Sequence, residues 1–162
     1  MRTNTRFTLA AAVALALATP IAASASPVYT LDLNLASYHT EAWARRQLNQ
    51  RNYGLGITRR INRTWSVSVG GYRNSYRRTS DYMLVNWTPL HASLPAGWSL
   101  AAGATAGFDS GYRRSEIQTA PWVAAGLLRV IAPAGWSINF TGVPNAGPTR
   151  SGFVGLQMSL PI

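Results

Sequence analysis

Two short stretches carry residue types that could activate a hydroxyl: His39, which follows Tyr38, and Ser75, which follows Asn74. Serine is a poor nucleophile until a base takes its proton, and histidine is the usual base. A third group normally orients the imidazole. Asn74 can do so by hydrogen bonding, although it brings no negative charge. Each residue alone also has a plain structural reading. Asn-Ser is ordinary turn chemistry, and a tyrosine–histidine pair at a strand end is ordinary interfacial filling. The two histidines are far apart with no carboxylate cluster around either, and no glycine-rich loop precedes a helix. No metal or other cofactor is implied.

For His39 to serve Ser75, the fold must bring two distant segments to one rim. The pattern that recurs along the chain is period-two alternation, not a helical period. Tyr29, Leu31, Leu33 and Leu35 alternate with polar residues, as do Tyr53, Leu55 and Ile57, then Trp65, Val67 and Val69. Met83, Val85 and Trp87 mark a fourth strand, and the run from Trp98 to Phe108 a fifth. A sixth lies near Ile117 to Val130. Trp136, Ile138 and Phe140 form a seventh, and Val154 to Ile162 an eighth. The expected fold is all-β: an eight-stranded antiparallel up-and-down transmembrane β-barrel. Eight is an even number, each strand is long enough to cross a bilayer at a tilt, and closure removes the edges that lipid cannot satisfy. Trp65, Trp87, Trp98 and Trp136 flank turns, as an interfacial aromatic girdle would.

With the N-terminus on the periplasmic side, the inner turns are Ile61 to Thr64, Pro89 to Gly97, and Ala132 to Gly135. The outer loops are roughly His39 to Asn52, Arg73 to Ser80, Asp109 to Ser115, and Val143 to Ser151. His39 then ends the first strand and Asn74-Ser75 opens the second outer loop, with one strand between them.

The N-terminus sets the compartment. Arg2 and Arg6 precede the apolar run Phe7 to Ala18, Pro20 breaks it, and Ala23-Ser24-Ala25 offers a small-x-small cleavage pattern. Residues 1–25 read as a cleaved secretory signal peptide and residues 26–162 as one outer-membrane β-barrel domain. The chain has no cysteine, and every basic residue is arginine, with a net charge of +10. Such an excess suits anionic partners. An exported chain rarely meets nucleic acid, so phosphorylated lipid is the expected partner. Arg45, Arg46, Arg51, Arg73, Arg77, Arg78, Arg113, Arg114 and Arg150 all fall in the expected outer loops. Arginine grips phosphate in bidentate fashion, and Arg73, Arg77, Arg78, Arg113 and Arg114 are the candidates to hold lipid phosphate. The plainer reading is solvated loop charge.

Tyr38-His39, Asn74-Ser75-Tyr76, Trp87-Thr88-Pro89-Leu90 and Ala104-Thr105-Ala106-Gly107 occur in that order. In these motifs, spread over most of the mature part, the chain resembles the lipid A palmitoyltransferase family. These eight-stranded outer-membrane enzymes move a palmitoyl chain from a phospholipid to lipid A. The resemblance implies that His39 and Ser75 are catalytic, with Asn74 standing where the family has aspartate. The family has Trp-His where this chain has Tyr38-His39. It also implies a lateral entrance for acyl chains near Pro121 and Pro144. Proline has no N–H for a ladder, so two prolines on neighbouring strands can leave such a gap. The family's amphipathic helix before the first strand and its prolines on the first two strands have no counterpart here. The last residue, Ile162, stands where such barrels usually end in phenylalanine.

If Met83, Val85 and Trp87 face lipid, Tyr82 faces inward. It is expected opposite the small residues Gly103 and Thr105, making an acyl pocket shallower than palmitate needs. The expected function is therefore a lipid A acyltransferase-like activity, with phospholipid and lipopolysaccharide as partners and the barrel a monomer. The alternative is a non-catalytic barrel that binds lipopolysaccharide or stabilises the membrane. A lipid A deacylase lacks a clear His-x-Ser in a late strand, and a pore does not suit an eight-stranded interior filled by side chains.

Overall fold

The computed structural model describes residues 29–145 and 151–162. The signal-peptide reading and Arg150 lie outside the described residues.

Strong alternation becomes strand wherever it was read. The strands are β1 (Tyr29–His39), β2 (Arg51–Arg60), β3 (Trp65–Arg73), β4 (Thr79–Ser93), β5 (Ser99–Asp109), β6 (Trp122–Ile131), β7 (Ser137–Val143) and β8 (Phe153–Pro161). Each pairs antiparallel with the next, and β1 pairs with β8, from Thr30 opposite Pro161 to His39 opposite Phe153. The sheet is thus a closed eight-stranded up-and-down barrel.

Leu55, Ile57, Val85, Leu128 and Val154 are exposed on the outer wall. The opposite set fills the interior. Buried polar groups must find partners, and here they find one another. Asp32 is fully buried, and its carboxylate accepts from Thr58 and Ser159, each at 2.5 Å. Ser68 lies 2.6 Å from Thr58 and accepts from Asn86 at 2.7 Å. Arg129 donates to Ser66 at 3.2 Å, and Asn139 to Ser159 at 2.7 Å. This network fills most of the half of the barrel next to the short turns and leaves the main open space in the other half.

At the network end, Trp65 packs on Trp87 with centroids 6.0 Å apart, and Trp98 meets Trp136 edge-on at 5.4 Å. The turns there are residues 61–64, 94–98 and 132–136. The connections at the opposite, His39 end are residues 40–50, 74–78, 110–121 and 144–152.

Three expectations need correction. The turn expected over Pro89 to Gly97 is mostly strand: β4 runs to Ser93, and the register shifts between Trp87 and Leu90. Pro89 sits in that irregularity, where a missing N–H costs no ladder bond. The sixth strand begins at Trp122, not near Ile117, because residues 113–122 make their own turn hydrogen bonds, among them Ile117 to Arg113 at 2.9 Å. The first long loop, in which no helical period was read, holds a short helix, α1 (Ala42–Gln47), anchored by buried Ala44.

Candidate active site at the loop end

The open half of the barrel holds a cavity of about 450 Å³. Ser75 lines one wall; Val123, Ala125, Val143 and Pro144 line another. Tyr82, Leu84 and Asn86 face inward, as the alternation required. Tyr82 is buried against β2 and β3. A Cβ on Gly56 would lie 2.2 Å from its hydroxyl, and one on Gly70 2.6 Å. Those two glycines make room for the phenol, and Asn34 donates to it at 3.4 Å.

Gly103 does not share this pocket. A Cβ there would meet the carbonyl oxygen of Trp87 at 1.9 Å and Pro89 Cδ at 2.9 Å. The irregular Trp87–Leu90 segment brings β4 backbone over Gly103, so this glycine serves the bend and not the cavity. Thr105 does line it.

The β6–β7 ladder stops short of the His39 end. Its pairing runs from Ile131 opposite Ser137 only as far as Gly126 opposite Gly142. The part of β6 nearest the His39 end, Trp122 to Ala125, is paired with β5 but not with β7. Pro121 directly precedes this stretch, and Pro144 directly follows β7. The unpaired segment of four residues spans roughly 13 Å at the usual strand rise. The two prolines therefore flank a real break in the ladder.

His39 and Ser75 come to the same end but are not hydrogen-bonded to each other. The His39 ring is buried, packs against Phe153 at 5.8 Å, and has Nδ1 3.1 Å from Gln50 Oε1. The same oxygen accepts from the His39 backbone N–H at 3.2 Å. Asn49, next to Gln50, donates its backbone N–H to the Ser75 carbonyl at 2.8 Å. The two residues just before β2 thus bridge His39 and the Ser75 backbone.

Asn74 does not orient His39. Its fully buried side chain donates to Gly111 O at 2.8 Å and Ser80 Oγ at 3.1 Å. Its Oδ1 accepts from the backbone N–H of Tyr76 at 2.9 Å and of Arg78 at 3.1 Å. All its capacity goes into holding the 74–78 turn against the next loop. Gln50, three residues before Tyr53 and unremarkable in sequence, takes the orienting place instead.

Ser75 has a neighbour that sequence reasoning missed. The two line the same cavity wall, and the Ser75 hydroxyl and backbone N–H both favour the charged form of the Tyr112 phenol. Tyr112 crosses Tyr76 edge-on at 6.1 Å, and burial pushes its pKa up to about 12. It therefore stays protonated at neutral pH. Tyr112 follows Gly111 in an ordinary loop sequence, so no spacing pointed to it.

The five arginines proposed for phosphate divide into two kinds. Arg73, Arg77, Arg113 and Arg114 are exposed at the rim. Arg78 is already engaged. It pairs with Glu116, donates Nε–H to Gly111 O at 2.9 Å and lies 5.2 Å from the Tyr76 ring centroid. That guanidinium latches two loops together, which leaves it less able to receive phosphate.

No family model matches this chain, and no curated protein matches it.

Proposed function

We propose that this barrel lies in a bacterial outer membrane, with its loop end outward, and moves an acyl chain from a phospholipid to lipid A. Ser75 supplies the reactive hydroxyl, and His39 is the imidazole of the site. One observation carries the reading: Ser75 and the unpaired outer stretch of β6 line the same cavity. A chain slipping in from the lipid side past Val123, Ala124, Ala125 and Val143 would enter the cavity that Ser75 lines. Small-molecule pockets commonly enclose about 300–1,000 Å³, and this cavity falls in that range. The apolar outer wall suits lipid, the tryptophan pairs suit an interface, and exposed Arg73, Arg77, Arg113 and Arg114 suit phosphate groups beside the rim.

A second reading rests on the absence of a His39–Ser75 hydrogen bond: a non-catalytic barrel that binds lipopolysaccharide. The test is mass spectrometry of lipid A from cells with the wild-type chain, with Ser75→Ala, and with neither. An added acyl chain that requires Ser75 supports the transferase. Unchanged lipid A in cells that make the folded barrel overturns it and leaves the binding protein.

A further inference from the structure

We propose that Ser75 is coupled to the buried carboxylate of Asp109 through the hydroxyls of Tyr112 and Tyr72, and that this relay supplies the negative charge which Asn74 lacks. The inference rests on Ser75 being the reactive hydroxyl.

The direction of the chain follows from counting protons. Tyr72 Oη donates to Asp109 Oδ2 at 2.7 Å. A phenol has one proton to give, so the contact of 3.2 Å between Tyr72 Oη and Tyr112 Oη has Tyr112 as donor. Tyr112 has then spent its proton, so towards Ser75, its neighbour on the cavity wall, its oxygen can only accept. Proton counting thus orders the bonds from Tyr112 to Tyr72 to Asp109, and Ser75 adjoins the Tyr112 end. All four residues line the one cavity. Asp109 is 5 % exposed, and its other oxygen accepts from the Gly111 N–H at 3.2 Å. Chains of this kind polarise along their length in a low-dielectric interior.

The relay balances a double displacement. As Ser75 Oγ bonds to the donor's ester carbonyl carbon, its proton passes to Tyr112, the Tyr112 proton to Tyr72, and the Tyr72 proton to Asp109. When the donor's ester C–O bond breaks, the protons run back and the lysophospholipid oxygen takes one. A lipid A hydroxyl then attacks the acyl-Ser75 ester. Its proton enters the same relay and returns to Ser75 Oγ as that ester bond breaks. No electrons are transferred to or from an external group, and Asp109 ends as a carboxylate. Tyr112 is the contact to the serine; Tyr72 and Asp109 act through it as positioning residues.

The test is the rate at which a long-chain alkyl fluorophosphonate labels Ser75 in the detergent-folded barrel, located by mass spectrometry. Tyr112→Phe, Tyr72→Phe and Asp109→Asn should each slow the maximal labelling rate at least about tenfold, with half-saturation nearly unchanged. Asp109→Glu should recover part of the rate. Heat-dependent gel mobility checks folding, and if Asp109→Asn does not fold, the tyrosine variants, each lacking one oxygen, still decide. No labelling of wild-type Ser75, or a wild-type rate in a folded Tyr112→Phe or Asp109→Asn barrel, overturns the relay. Acyl transfer is measured on the same samples: labelling that obeys the relay without transfer to lipid A sinks the proposed function alone.

Discussion

The hydroxyl of Tyr82 occupies the space that a side chain on Gly56 would need, a Cβ there lying only 2.2 Å from it. One side of the cavity is therefore set by a tyrosine on one strand and a missing side chain on another. Tyr82→Gly should deepen the cavity and shift transfer towards longer acyl chains, read by mass spectrometry of products from a donor mixture. Unchanged chain selectivity in an active variant would refute Tyr82 as the limit. Gly56→Ala should overpack the same contact and cost about 1–3 kcal/mol, measured by denaturant unfolding in detergent.

Ser75→Ala should abolish acyl transfer while the barrel still folds. His39→Ala should lower transfer about tenfold or more, because His39 anchors Gln50, and Asn49 beside it holds the Ser75 carbonyl. If His39 acts by position, Gln50→Ala should lower transfer to a similar extent. A His39→Ala loss as deep as that of Ser75→Ala, with Gln50→Ala nearly normal, would instead make the imidazole the proton acceptor. The Ser75/His39 double variant should be little worse than Ser75→Ala, since residues acting as a unit are not additive.

Asn74→Asp, which restores the carboxylate that the resembled family has at this position, should destabilise the protein. The carboxylate cannot donate to Gly111 O and Ser80 Oγ, both of which Asn74 serves from a fully buried site. The loss of satisfied buried bonds should cost about 1–3 kcal/mol, visible as a lower unfolding midpoint. An equally stable, more active Asn74→Asp would restore Asn74 to the catalytic set.

The break between β6 and β7 should be the acyl route. Beyond Gly126 opposite Gly142, continuing the register sets Ala125 opposite Val143. The chain has no cysteine, so an Ala125→Cys/Val143→Cys pair can be oxidised cleanly. Oxidation should block transfer and reduction should restore it. Full activity in the oxidised barrel would place the route elsewhere.

Arg113→Ala and Arg114→Ala should each weaken binding to vesicles containing phosphorylated lipid by about 1 kcal/mol, and added salt should shrink the difference. Arg78→Ala should behave differently. It breaks the latch to Glu116 and Gly111, so its main effect should be a less stable loop end. Equal, salt-sensitive binding losses in all three would put Arg78 back among the phosphate ligands.

The barrel was legible in the sequence because a strand with one apolar and one polar face leaves a period of two, and Trp65, Trp98 and Trp136 mark where strands turn, whereas Trp87 sits within β4. Tyr82 facing inward follows from the same parity. What alternation cannot encode is register and crossing. Gly103 and Tyr82 belong to neighbouring strands, yet the irregularity at Trp87–Leu90 sends Gly103 under the β4 backbone. The pairing of His39 with Gln50, the use of Asn74 to tie two loops, and the line from Ser75 through Tyr112 and Tyr72 to Asp109 join segments far apart in the chain. Hydrogen bonds of that kind depend on how loops fold over a closed rim. Residue type and spacing say which groups can react, and only the closed tertiary structure decides which of them meet.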